Sequence, residues 1–312
     1  MTGRGSDAPT RDPGRFSPIF VLTMARSYSS VITTMIGQHP VLAGLPELKL
    51  FCYPTIGELE ASLSRFWLDR GVTHRSPGVV RAIAQLEFGD QTLASLESAR
   101  QWLQDRSHWS GADVLDVLME RLSPRDAVEK SPENVESDAA LMRLASAYPG
   151  ARYLHLTRHP VTTQRSVKEH LNRVVPGYSM PGEPMSGTAS WVETHCRIMR
   201  FTAILPKHRY LRVRAEDVLN DTRAQLQSIA AWLGIEPDER AIEAMAHPEA
   251  SPFAGLGPAG SGMTGGNDPS FLRDPIPRPV EVVRTLEPPP GWVGNASLWR
   301  MTLDVAKRLG YP

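Results

Sequence analysis

Short apolar runs alternate with amphipathic stretches along most of the sequence. Residues 18–23 form an apolar, β-branched run that is typical of a buried parallel strand. Further strands are predicted at residues 126–129, 152–157 and 210–214, and a helical pattern follows each of them. Because helices separate the strands, the pattern predicts an α/β fold with three layers, α/β/α, around a central parallel sheet.

The first predicted strand is followed by a polar loop and then by a short helical pattern at residues 31–36. Gly37 stands where this helix should end, and the hydroxyls of Ser29 and Ser30 are expected to cap its start. The other predicted helices lie at residues 135–148, 160–171, 187–205, 226–233, 239–246 and 299–309. The domain therefore opens with a strand–loop–helix unit.

Three segments depart from this alternation. Residues 1–16 are rich in Gly, Arg, Asp and Pro and are predicted to form a disordered leader. Residues 56–122 are mostly amphipathic helix and are predicted to be a helical insertion. Residues 251–290 form a long Gly/Pro-rich C-terminal loop, which is predicted to be a lid or an acceptor loop. No composition break divides residues 17–312, so they are predicted to form a single domain.

The charge balance limits the possible partners. The chain has 34 Lys and Arg residues against 34 Asp and Glu residues, so the basic surplus of a nucleic-acid-binding protein is absent. Any bound anion must then be met by a local cluster of donors. Two cysteines make neither a disulfide framework nor a zinc site, and no metal is expected. No apolar run approaches the ~18 residues of a membrane span, so the protein is expected to be cytoplasmic.

The loop after the first strand has the composition of an anion site. It consists of Arg26, Ser27, Tyr28, Ser29 and Ser30. Backbone N–H groups and the helix dipole favour an anion at such a position, and a guanidinium strengthens the site. The lysine and both glycines of an NTP-binding P-loop are absent, which favours a 5′-phosphosulfate that needs no Mg²⁺. An ordinary Ser-rich helix start fits the loop equally well.

Two further segments place cations where predicted strands end. Arg158 follows directly on a strand, and Ser166 lies eight residues later in the next helix, so the two could hold a second phosphate. Lys130 also follows a strand, where it could stabilise charge on a transferring group. Taken singly, a surface arginine and a solvated turn explain these residues as well.

Together the three segments resemble the sulfotransferases that use 3′-phosphoadenosine 5′-phosphosulfate (PAPS), and the bacterial and tyrosylprotein-type branch in particular. That family carries an R-S-G-[ST]-[ST] loop before a helix and H-P, a K-x-P element, and R-[DH]-P followed by Ser at the eighth position. The matching residues are Arg26, Ser27, Ser29, Ser30, His39, Pro40, Lys130, Pro132, Arg158, His159, Pro160 and Ser166. The resemblance covers nearly the whole chain from Ile19 onward.

The resemblance implies a P-loop-like fold, PAPS as the sulfuryl donor and a hydroxyl acceptor, expected to be a small molecule, lipid or natural-product intermediate. It assigns the 5′-phosphate to Arg26 and the loop residues, and the 3′-phosphate to Arg158 and Ser166. Lys130 would neutralise charge on the sulfuryl group. Glu47, shortly after H-P, would be the general base for in-line displacement, a role worth ~10²–10⁴ in rate.

Two departures from the family pattern keep alternatives open. Tyr28 replaces the usual glycine of the loop, so its side chain is expected near the donor or acceptor. The catalytic histidine of the cytosolic branch is missing, which leaves His170 or His195 as competitors of Glu47 for the role of base. The alternative functions are a P-loop nucleotide kinase and a catalytically silent nucleotide-binding protein of the same fold.

Overall fold

The computed structural model describes residues 8, 10–68, 77–174, 183–259, 265–288, 292 and 295–312. Its sheet has five parallel strands in the order β2-β3-β1-β4-β5. The strands are β1 (Ile19–Leu22), β2 (Leu42–Gly44), β3 (Asp126–Glu129), β4 (Arg152–Thr157) and β5 (Tyr210–Arg214). The predicted α/β fold with a central parallel sheet is confirmed.

Helices cover both faces of this sheet. They are α1 (Ser29–Ile36), α2 (Ile56–Leu68), α3 (Pro77–Glu87), α4 (Leu93–Gln104), α5 (Gly111–Leu122), α6 (Asp138–Ala147), α7 (Pro160–Val174), α8 (Glu183–Thr202), α9 (Ala215–Asn220), α10 (Thr222–Leu233), α11 (Glu239–Met245), α12 (Pro269–Arg273) and α13 (Ala296–Arg308). Side chains of β1 alternate between two cores, as the two-residue period of a strand requires. Phe20 and Leu22 pack with α3 to α6, whereas Ile19 and Val21 pack with α1 and α9 to α11.

Predicted and observed elements agree most closely in the sheet. Strands β3, β4 and β5 occupy the predicted residues, and the predicted insertion forms the four helices α2 to α5 in its described part. Strand β2 was not predicted, because three residues after the H-P turn carry too little pattern to be recognised. The described part of the predicted 251–290 loop contains α12, and a 3₁₀ turn at Pro248–Ala250 directly precedes the loop. Residues 260–264 and 289–290 of the loop lie outside the described residues.

The predicted disordered leader is corrected at Arg11 and Phe16, which contact the rest of the domain, whereas residues 12–15 between them are exposed. Arg11 donates from Nε to Asp116 Oδ2 at 2.6 Å, and its guanidinium lies 5.0 Å from the ring centre of Tyr148. Asp116 and Tyr148 are buried, so this ion pair and ring contact anchor the segment. Residues 1–7 and 9 of the predicted leader lie outside the described residues.

The parallel arrangement brings several loops to one edge. All five strands point the same way, so the loops after β1, β2, β3 and β4 leave the sheet at their carboxyl ends. In the register of the sheet, Phe20 lies beside both Glu129 and Tyr153. Open α/β sheets bind ligands at this edge. The candidate site residues predicted from the sequence follow these strands.

Candidate active site

The loop between β1 and α1 has an uncommon backbone conformation. Arg26 and Tyr28 have φ angles of 68° and 58°, in the left-handed region that residues with a side chain rarely adopt. Tyr28 is the N-cap residue of α1, and its side chain makes no capping hydrogen bond. The N–H groups at the start of α1 and the helix dipole therefore form an end suited to an anion.

The expected capping of α1 by Ser29 and Ser30 is wrong. The left-handed conformation at Tyr28 starts the helix at Ser29, so both serines lie inside the first turn and their side chains are buried. Ser30 Oγ instead accepts hydrogen bonds from Lys130 Nζ at 3.2 Å and from the backbone N–H of Asp268 at 3.0 Å. Ser30 thus joins the loop to β3 and to the C-terminal segment.

Arg158, the first residue after β4, is held without a carboxylate partner. Its Nε donates to Thr162 Oγ1 at 3.1 Å and its Nη1 to the carbonyl of Arg26 at 2.6 Å. The Tyr28 ring covers the guanidinium, with its centre 4.0 Å from Cζ. Arg158 is only 8% exposed, and no ion pair joins it to a carboxylate among the described residues. Burial lowers the pKa of Arg158, but a guanidinium stays charged in proteins.

Arg26 connects the loop to the residues around Arg158. Its guanidinium forms an ion pair with Asp268, and its Nε donates to Ser166 Oγ at 3.3 Å. Asp268 also accepts from the backbone N–H of Ser270 at 2.8 Å, which caps α12. The structure therefore brings Arg26 and Ser166 together, and the assignment of Arg26 to the 5′-phosphate stays a prediction.

Lys130 and Glu47 meet at the ends of β3 and of the segment after β2. Lys130 Nζ contacts Glu47 Oε1, and Lys130 is only 1% exposed. The Glu47 side chain is 20% exposed, so its carboxylate is open to solvent on one side. A buried cation beside an accessible carboxylate, next to the loop that contains Ser30, can stabilise charge and accept a proton at one place.

Glu129 supports this pair from within the sheet. Asn134 Nδ2 donates to its Oε2 at 3.0 Å, Leu48 N–H donates to its Oε1 at 3.4 Å, and the Ser131 hydroxyl also binds Oε1. Burial raises the pKa of Glu129 to about 7. Because these donors enclose its side chain, Glu129 fixes the segment that carries Glu47. Its carboxylate is not available to an acceptor substrate.

The family profile that matches the sequence is that of the sulfotransferase family, over residues 18–239. This chain belongs to the sulfotransferase family. No curated protein matches the sequence significantly. Within the described residues, no group of three or more His, Cys, Asp or Glu side chains could hold a metal ion. The same part of the chain contains no helix with the length and apolarity to cross a membrane.

Solved sulfotransferase structures share the fold over nearly the whole chain. The sulfotransferase domain from the Synechococcus PCC 7002 olefin synthase is 25% identical, with a TM-score of 0.72 over 98% of each chain. The sulfotransferase domain from the curacin biosynthetic pathway is 20% identical, with a TM-score of 0.74 over 96% of this chain and 99% of that one. Sulfotransferase STF9 from Mycobacterium avium is 14% identical, with a TM-score of 0.52 over 95% and 78%.

Several residues of this candidate site were not predicted from the sequence. Asp268 and Thr162 hold Arg26 and Arg158, and neither belongs to a motif. Arg81 is a buried cation on α3 whose Nη1 donates to the carbonyls of Gly255 and Gly265, so it joins the two ends of residues 255–266, the Gly-rich segment. Of these features, only the glycines of the Gly-rich segment could be noticed in the sequence, because glycine is favoured where backbones approach closely.

The histidines divide clearly. His195 Nδ1 lies 2.9 Å from His155 Nε2, both rings are fully buried, and burial lowers the pKa of His195 to about 3. His195 therefore has a buried histidine as its partner and no contact with solvent, so nothing in this geometry favours it as the base. His170 lies on α7 and stays an alternative prediction for the base.

Gly266 should be essential for the position of Glu47. Its carbonyl accepts from Glu47 N–H at 2.7 Å, and a Cβ there would lie 2.2 Å from Gly78 Cα. We expect Gly266→Ala to lower the free energy of unfolding, and Gly234→Ala is the matched control, because both glycines have φ near 70° but Gly234 has open space around it. The clash should cost roughly 1–3 kcal/mol beyond the control in urea unfolding. Equal losses in the two variants would contradict this.

Proposed function

We propose that this sulfotransferase moves a sulfuryl group from PAPS to a hydroxyl group of a small-molecule, lipid or natural-product acceptor. The observation that carries the proposal is the buried guanidinium of Arg158, which has no carboxylate partner among the described residues and lies beside the anion-binding end of α1. A nucleotide with phosphates at two positions matches these two sites. A donor with only a 5′-anion would leave Arg158 unused.

The chemistry needs alignment and charge stabilisation more than covalent help. The acceptor oxygen forms a bond to sulfur while the bond between sulfur and the bridging oxygen of the 5′-phosphate breaks. Glu47 takes the acceptor proton, and Lys130 stabilises the negative charge that develops on the sulfuryl group and the bridging oxygen. The loop holds the 5′-phosphate, with Arg26 at its start. The product 3′-phosphoadenosine 5′-phosphate then leaves.

The acceptor side is proposed to be bordered by α3 and the Gly-rich segment, which pack against each other. Both approach Glu47: a Cβ on Gly78 would lie 1.9 Å from the Glu47 carbonyl oxygen, and Gly266 binds the Glu47 N–H. We therefore assign the 56–122 insertion and the 251–290 loop, within one domain of residues 17–312, to acceptor recognition. The relative from an olefin synthase, an enzyme named for a hydrocarbon product, favours a lipid-like acceptor.

The proposal is tested by Arg158→Ala. Loss of a charged hydrogen-bond donor costs about 1.5–3 kcal/mol, so the affinity for 3′-phosphoadenosine 5′-phosphate should fall roughly 10- to 100-fold in calorimetry. Arg165→Ala is the matched control, because Arg165 is an exposed arginine of α7 that pairs with Glu281. Its affinity should equal that of the wild type. Binding of ATP with Mg²⁺ and not of 3′-phosphoadenosine 5′-phosphate would replace the proposal with a kinase.

A further inference from the structure

The three cations of the site are held in different ways. Lys130 and Arg26 each pair with a carboxylate, Glu47 and Asp268. Arg158 has instead the ring of Tyr28 on one face, with 4.0 Å between Cζ and the ring centre. A carboxylate at this place would neutralise the guanidinium and compete with a phosphate for its donors. An aromatic face attracts the cation through its quadrupole and carries no charge that could compete.

Tyr28 stays neutral where it lies. Its side chain is half-buried, and this burial raises the pKa of its hydroxyl above the usual value, although the charge of Arg158 opposes the shift. The ring therefore remains an uncharged surface over Arg158 at neutral pH. Its hydroxyl makes no hydrogen bond to Arg158, so the contact is made by the ring face.

The rest of Arg158 is fixed as well. Thr162 and the carbonyl of Arg26 accept from Nε and Nη1, and Trp191 Nε1 donates to the Arg158 carbonyl at 3.0 Å. A guanidinium has five N–H donors, so those of Nη2 and the second on Nη1 have no acceptor among the described residues. With the ring on one face and two donors engaged, the remaining donors point in a fixed direction.

The backbone conformation at Tyr28 is unfavourable for a residue with a side chain. Its φ angle of 58° suits glycine, the residue that the family pattern has at this position, and a tyrosine at such an angle costs roughly 1 kcal/mol or more. Contact with the Arg158 guanidinium offsets that cost. Tyr28 therefore accepts a strained backbone angle and gains a contact between its ring and Arg158, the residue predicted to bind the 3′-phosphate.

We infer that Tyr28 is a positioning residue that holds Arg158 ready for the 3′-phosphate and so sets the preference for a 3′-phosphorylated nucleotide. The inference rests on the proposed function. It concerns how tightly the nucleotide's 3′-phosphate is recognised, and it leaves the transfer step to Glu47 and Lys130.

The test compares 3′-phosphoadenosine 5′-phosphate with 5′-AMP, which lacks the 3′-phosphate, in calorimetric titrations. The variants are Tyr28→Gly, which keeps the positive φ without strain, and Tyr28→Phe, which keeps the ring face. The wild type and Tyr28→Phe should share one preference for the 3′-phosphorylated nucleotide. Tyr28→Gly should lose about 3- to 30-fold of that preference, measured for each variant as the ratio of its affinities for the two nucleotides.

A double-mutant cycle separates positioning from a general effect on the loop. In an Arg158→Ala background, Tyr28→Gly should change the preference by less than about 2-fold, because the residue it positions is gone. An equal loss of affinity for both nucleotides, or a Tyr28→Phe variant that behaves like Tyr28→Gly, would overturn the inference. A wild type without any preference would overturn the proposed function with it. A wild-type preference that Tyr28→Gly retains would overturn the inference alone.

Discussion

Glu47→Gln is expected to lower kcat for an alkyl alcohol acceptor by about 10²–10⁴-fold, because the hydroxyl proton then has no acceptor in the transition state. Gln keeps the size of the side chain and can still contact Lys130, so the affinity for 3′-phosphoadenosine 5′-phosphate should stay within about 2-fold of the wild type. Single-turnover transfer and calorimetry measure the two quantities. Glu58→Gln, which removes an exposed carboxylate of α2, is the charge-matched control.

The leaving group offers a sharper version of this experiment. In the reverse direction, p-nitrophenyl sulfate is supplied as the sulfuryl donor to 3′-phosphoadenosine 5′-phosphate, and p-nitrophenol is acidic enough to leave as an anion without a proton donor. Glu47→Gln should therefore change this reaction little while it slows transfer to an alkyl alcohol by about 10²–10⁴-fold. Equal activity of Glu47→Gln and wild type on the alcohol would remove Glu47 as the base. His170→Ala would then be the variant to examine.

The sequence predicted most of the sheet because β1, β3 and β4 are short, largely buried runs bounded by polar residues, and β5 alternates apolar with charged residues. Strand β4 has six residues from Arg152 to Thr157, and five of them are buried. Such a short run that is buried on both faces is typical of a central parallel strand. Strand β2 has three residues and depends on its pairing with β3 for recognition. The local sequence pattern carries no information on pairing between distant segments. A prediction from the pattern therefore misses short edge strands such as β2.

The candidate site shows the same division. The loop, Lys130, Arg158 and Ser166 follow strands, so their common edge could be predicted from chain order. The contact of Asp268 with Ser30 joins residues 238 positions apart, and no motif signals it. The structure also changed the interpretation of Tyr28, from a departure with no assigned partner to the residue that covers Arg158.

Lys130→Met is expected to lower the rate of transfer by about 10²–10³-fold, the effect of removing one buried donor that faces developing charge. Met fills a similar volume with no charge, and Glu47 is accessible enough to be solvated once its partner is gone. Thermal unfolding should therefore show a folded variant. Binding of 3′-phosphoadenosine 5′-phosphate should weaken far less than the rate, because the role proposed for Lys130 is to stabilise charge that appears in the transition state.

The p-nitrophenyl sulfate reaction distinguishes the roles of the two paired residues. Charge develops on the sulfuryl group whichever leaving group is used, so Lys130→Met should slow the reaction with p-nitrophenyl sulfate as strongly as transfer to an alcohol. Glu47→Gln should slow only the second. With the aryl sulfate, the rate of the double variant should then equal that of Lys130→Met. With the alcohol, the double variant should be slower than either single variant, but by less than the product of the two single effects, because the two side chains are in contact. If Lys130→Met spared the aryl sulfate reaction, Lys130 would serve only to orient Glu47, and charge stabilisation would have to come from the loop at the start of α1.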